Sequence, residues 1–228
     1  MRIFFGSGNP SPCPLSVTFG NSFPSKGNLI CFAASGLTFL SQPFFSGDAM
    51  NFVEMEQRKQ RKNQILFAKT DPCLFPLWQR LEQVNRRTVV AWALACLEEP
   101  VEQLSRQYPA NPRPREALET TRLWAMGRVK MPQARPAILA VHAMAKQLSA
   151  PGDAALCHGV GQGCSTVHTP RHAMGLPIYE LTALAHHTPP DQLAARLERK
   201  IQAYHETLDR CLALGDAALP CWASFLQD

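Results

Sequence analysis

Cys157, Cys164, His168 and His172 lie seven, four and four residues apart in the stretch C-H-G-V-G-Q-G-C-S-T-V-H-T-P-R-H. Cysteine and histidine at such intervals could hold zinc or arm a thiol nucleophile. On one unbroken helix the four would share a face, but the rise from Cys157 to His172 would be about 22 Å, too far to converge on one ion. At most Cys164, His168 and His172 could bind together, across the break that Pro170 imposes. A nucleophilic reading of Cys164 or Ser165 served by His168 lacks an orienting carboxylate and any recognisable oxyanion feature. The run G-V-G-Q-G at 159–163 has no strand before it and no phosphate-loop lysine, so it gives no nucleotide site. A metal-dependent enzyme or sensor would need His142, His158, His168 and His172 to converge from neighbouring helices. The plainer reading is a set of half-buried histidines hydrogen-bonded to backbone or carboxylate groups, with Trp92 and Trp124 as packing residues.

Whatever these residues do, helices must place them. Thr169-Pro170 has the form of a helix start, the Thr side chain accepting from free N–H groups and Pro occupying the first helical position. One helix is therefore expected to run from about Asp153 to His168 and the next from Pro170 to His187, as a hairpin whose glycines admit a close neighbour. Upstream, apolar residues at helical spacing predict helices after Asp71-Pro72, with Asp71 as N-cap, and over Arg87–Tyr108, Arg115–Arg128 and Ala134–Leu148. Downstream, a helix over Asp191–Leu214 uses Leu193, Leu197, Ile201, Tyr204, Leu208 and Leu212 and stops at Gly215. Beyond residue 50 there is no sustained period-two alternation and no hairpin turn signal. The expectation is an all-α protein, a bundle or short stack of about seven antiparallel helices.

Residues 1–49 differ from the rest, with eight of the twelve Phe and only three formally charged residues. They read as a disordered extension that an internal start at Met50 or Met55 would omit. A basic linker or helix follows at 50–70, then a helical domain at 71–187 and a C-terminal helical extension at 188–228 that packs on it. The net charge of +5 is concentrated early, since residues 87–228 carry fourteen basic and thirteen acidic side chains. Nothing in that balance argues for nucleic acid. The apolar stretch near Asn28–Phe45 is too short and too broken to span a bilayer. Eight scattered cysteines without a C-x-x-C pair suit a reduced, cytoplasmic protein.

Taken together, V-V-A-W-A-L-A-C (89–96), R-P-R-E-A-L-E-T-T-R-L-W-A-M-G (113–127), A-R-P-A-I-L-A-V-H-A-M-A (134–145) and G-C-S-T-V-H-T-P-R-H-A-M-G (163–175) resemble a family of predicted bacterial immunity proteins of polymorphic toxin systems, the all-α family numbered five. The motif residues fall on Trp92, Arg113, Pro114, Arg115, Glu119, Arg122, Trp124, Ala125, His168 and His172. The resemblance covers about Arg87 to Ala185, and the helix from Asp191 onward is not part of the pattern. Cys157-His158-Gly159 and Leu176-Pro177 depart from it, and Pro177 is expected to remove a helical hydrogen bond. The resemblance implies a non-enzymatic protein that binds and neutralises a cognate toxin domain by stoichiometric occlusion, without a cofactor. On the predicted exposed face Arg113, Arg115, Glu119 and Arg122 are the candidate partner contacts, because Arg is enriched at interface hot spots. A metal-binding helical enzyme or sensor and a helical scaffold without a toxin partner are the alternatives.

Overall fold

A computed structural model describes residues 50–226, and the extension expected at 1–49 lies outside them. The described residues form eight α-helices and no strand. These are α1 (Val53–Gln60), α2 (Phe75–Glu82), α3 (Arg86–Gln107), α4 (Arg113–Ala125), α5 (Met131–Ala145), α6 (Pro151–Cys164), α7 (Gly175–His187) and α8 (Pro190–Leu214). Each of α3 to α8 packs on the next in sequence, and α8 returns to α3, closing a ring around the α3–α6 contact. No described helix is long and apolar enough to cross a membrane.

Local chemistry sets most of the boundaries. Asn85 caps α3, its side chain accepting from Thr88 N at 2.8 Å. Gly215 ends α8 with φ at +51°, a left-handed turn that glycine adopts without steric cost. Asp71 was expected to cap a helix and does not. Its buried carboxylate takes a bidentate pair from Arg58 (2.6 and 2.7 Å) and the N–H of Ala68, and α2 starts four residues later. A charge-assisted fork outcompetes a capping bond.

The central hairpin also breaks earlier than expected. α6 stops at Cys164, where the hydroxyls of Ser165 and Thr166 turn back onto the carbonyls of Gly161 (2.7 Å) and Gly163 (2.9 Å). Such back-bonding offers the chain an alternative to continued helix. Thr169 does accept from Arg171 N, at 3.5 Å, but it opens a 3-10 turn, Pro170–Met174, and α7 proper starts at Gly175. Pro177 thus falls in the first turn of α7, where its missing N–H costs no intrahelical bond, and the expected disruption does not arise.

The core is closed by α8. Leu193, Leu197, Ile201, Tyr204 and Leu208 are buried as the periodicity predicts, whereas Leu212 is exposed. Trp92, fully buried on α3, donates from Nε1 to the carbonyl of Tyr204 at 3.0 Å. The Tyr204 hydroxyl donates to Glu180 Oε2 at 2.6 Å, and Lys200 Nζ lies 2.5 Å from Glu180 Oε1 and 2.8 Å from Glu99 Oε2. Burial pushes the Glu180 carboxyl above its ordinary range, against the pull of Lys200 and Tyr204. Burial works against the Lys200 ammonium, yet Glu180 and Glu99 hold it above its ordinary value. Three helices, α3, α7 and α8, are therefore pinned by one buried charge pair and its hydrogen bonds.

Candidate functional site

α6 is built with gaps in its surface, and imidazoles fill two of them. A methyl group at Gly161 would overlap the ring of His142 on α5, and one at Gly152 would overlap the ring of His187 on α7. Gly159 does face a helix backbone: a Cβ there would lie 3.5 Å from Glu180 N and Leu176 O. The expected close helix approach therefore holds at Gly159, while Gly161 and Gly152 seat side chains. Gly163 is filled by Leu97, whose Cδ2 would stand 2.9 Å from an added Cβ.

Seated in this way, His142 places Nδ1 3.0 Å from Nδ1 of His158. His158 in turn packs against Tyr179, with ring centroids 5.4 Å apart. On the other side, His172 Nδ1 lies 2.9 Å from Gln162 Oε1, and its ring stands edge-on to His168 at 6.4 Å. His142, His168 and His172 share a groove of about 390 Å³ with Met131, Arg135, Leu139 and Gln162. His158 looks the other way, into a cleft of about 530 Å³ beside Tyr179 and His186. Burial lowers the pKa of His142, with His158 and His172 adding to the shift, and burial with Lys146 lowers that of His158. Burial and then His172 do the same to His168. Neutral imidazoles acting as donors and acceptors are what these surroundings favour.

Cys164 does not join this group. Because α6 ends there, the four-residue spacing no longer puts Cys164 and His168 on one face. Cys164 is fully buried, beside Thr121 and Arg122 of α4, and burial pushes its thiol up to about 12. A thiol so shifted is neither a ready nucleophile nor a ready ligand. Among the described residues no group of three or more His, Cys, Asp and Glu is placed to hold a metal ion. The zinc alternative on Cys164, His168 and His172 thus lacks its geometry.

The α4 charges are engaged at home. Arg122, about one quarter exposed, pairs with Glu98 of α3 and lies 3.7 Å from Glu119. Arg115 reaches Glu102 of α3 at 3.1 Å, and Arg113 donates to Gln147 Oε1 at 3.0 Å. Arg115 and Glu119 remain exposed, whereas Trp92 and Trp124 are buried. Trp124 packs against Phe225, with centroids 5.2 Å apart, and Arg86 lies over its ring. A further polar centre is absent from the sequence reading. Asp153, buried in the first turn of α6, accepts from Tyr108 Oη and Gln107 Nε2 at 2.6 Å each and lies 3.0 Å from His187 Nε2. Tyr108 is pushed up to about 12, chiefly by its hydrogen bond to Asp153. Tyr108 and Gln107 lie 45 and 46 residues from Asp153 and His187 is on another helix, so no local pattern could signal the cluster.

A family model described as Imm-5 like putative immunity protein matches residues 79–207, more than half of the chain. The chain belongs to that family. The match extends past the resemblance read from the sequence and takes in most of α8, consistent with the Trp92–Tyr204 and Glu180–Lys200 contacts that tie α8 to the core. The histidine groove, formed from residues between Met131 and His172, lies wholly inside the family segment. The cleft beside His158 takes half its wall from residues 59–66, which precede that segment. No curated protein and no solved structure matches the chain.

Proposed function

We propose that the chain is a non-enzymatic immunity protein that neutralises a cognate toxin domain in the cytoplasm by stoichiometric binding, with the histidine groove as its principal contact. The observation that carries this reading is the make-up of that groove within the family segment. Met131 and Leu139, 39% and 52% exposed, stand beside Arg135 and three imidazoles. Met and Arg are both enriched at protein interfaces, and Leu139 adds apolar area beside them. Arg115 and Glu119 on α4 supply a second, charged contact, while Arg113 and Arg122 act through Gln147 and Glu98 in holding that helix in place.

The test is co-expression of the full chain with any toxin domain found encoded beside its gene. Growth rescue with a one-to-one complex, lost in Leu139→Asp and in Arg135→Glu while helicity is unchanged, is the expected result. Rescue without a complex, or rescue by both groove variants, would refute binding through this surface.

A further inference from the structure

The cleft on the His158 side is not needed for the function proposed above, and its walls have a chemistry of their own. One wall is the segment from the end of α1, contributing Lys59, Lys62 and Ile65, and the opposite wall is α6 and α7, contributing Ala154, His158, Tyr179 and His186. Among the described residues no carboxylate lines it. Buried Asp153, next to Ala154 in the chain, is turned to Tyr108, Gln107 and His187. Neither Lys59 nor Lys62 makes an ion pair with another described residue.

Lys62 is also held in an unusual way. Its φ is +58°, the only positive value among the described non-glycine residues. Lys62 N donates to Lys59 O at 3.0 Å and Asn63 N to Arg58 O at 3.0 Å, so α1 closes in a turn that glycine ordinarily occupies. A lysine kept at a glycine position carries backbone strain, and strained residues concentrate where a side chain has work to do.

We propose that this cleft is a binding site for a small amphipathic organic anion. Its acidic group is received by Lys59 and Lys62 and its apolar body lies against Ile65, Ala154 and Tyr179. His158 and His186 supply hydrogen-bonding groups within the cleft. A volume of about 530 Å³ falls in the range of clefts that hold drug-sized ligands, and a mostly apolar wall with a few converging polar groups is their usual make-up.

The probe is 8-anilinonaphthalene-1-sulfonate, with neutral N-phenyl-1-naphthylamine as the uncharged control, each titrated by fluorescence against the full chain. One anionic dye per chain is expected. Lys59→Glu with Lys62→Glu should weaken the anionic dye about tenfold and the neutral dye less than twofold, since only the former loses its counter-charge. Ala154→Phe, which fills the cleft from a half-exposed position, should abolish both. Far-ultraviolet circular dichroism checks that each variant is folded, and Lys59→Gln with Lys62→Gln replaces the reversal if it is not. Absence of anionic-dye binding, equal loss of both dyes in the lysine variant, or retention of both in Ala154→Phe would each overturn the proposal.

Discussion

His142 Nδ1 lies 3.0 Å from His158 Nδ1, and a contact between two like atoms requires that one ring donate and the other accept. Two charged imidazoles cannot occupy it. Both rings have pKa values lowered chiefly by burial, so at acidic pH the unfolded chain binds protons that the folded chain refuses. The slope of stability against pH is then positive below the ordinary imidazole value of about 6.5. His168 and His186 are shifted in the same direction, and His205, lowered to about 4 by burial and Arg80, extends the window downward. Stability should be flat from pH 8 to 7 and fall between pH 6.5 and 4, measured by urea unfolding. His158→Gln should flatten the upper part of that fall.

The Glu180–Lys200 pair makes a prediction of a different kind. Lys200→Met leaves a carboxylate in a site only 7% exposed, and removing one member of a buried pair costs about 3–5 kcal/mol. Because burial already raises the Glu180 pKa, the abandoned carboxyl can take up a proton instead of staying charged. The loss relative to wild type should therefore be greatest at pH 8 and shrink towards pH 5, as read from paired denaturant curves.

The glycines of α6 should not respond alike to alanine. Alanine gains about 1 kcal/mol of intrinsic helix preference at each position. At Gly159 the new methyl meets neighbours at ordinary contact distances, so Gly159→Ala should be neutral or stabilising. At Gly161 the methyl takes the place of the His142 ring, which can swing into the open groove. Thermal stability should change little while the His142 and His158 imidazole NMR signals move apart. At Gly163 the methyl presses on buried Leu97 at 2.9 Å, and overpacking of about 1–3 kcal/mol should lower the melting temperature.

Reversal of Arg122 and of Arg115, two of the three α4 arginines, separates fold from binding. Arg122→Glu would set a carboxylate beside Glu98 and Glu119 on a partly buried face, and a loss of about 1–2 kcal/mol is expected. Arg115→Glu, on an exposed pair with Glu102, should stay within about 0.5 kcal/mol of wild type while weakening binding of the proposed toxin partner. Thermal melts and a binding titration on the same samples check both halves.

The helices were legible because their signals are local. Gly215 and the Leu193-to-Leu208 stripe each act within a turn or two of the residue that carries them. The hairpin break was displaced because Ser165 and Thr166 act through side-chain bonds that helical periodicity does not register. Asp71 has the local form of a cap, but its partner, Arg58, lies thirteen residues back on another helix, beyond the reach of any local signal. Of the groove, His142, His168 and His172 stood out by residue type. Arg135 and Leu139 carry no mark beyond an ordinary helix surface and Met131 lies ahead of the helix expected from Ala134, so only the packing of α5 against α6 groups the three. Cys164 was grouped with them by a spacing that holds only on unbroken helix.

The hydrogen bond from Trp92 to Tyr204 spans 112 residues. A ribosome making this chain releases Trp92 long before the helix that covers it, and no earlier segment supplies the Tyr204 carbonyl. During that interval the indole lacks its hydrogen-bond acceptor and the α3 face lacks its contact with α8. Final closure therefore waits on the emergence of α8, and a chain stalled short of Tyr204 would present this apolar face to chaperones and proteases.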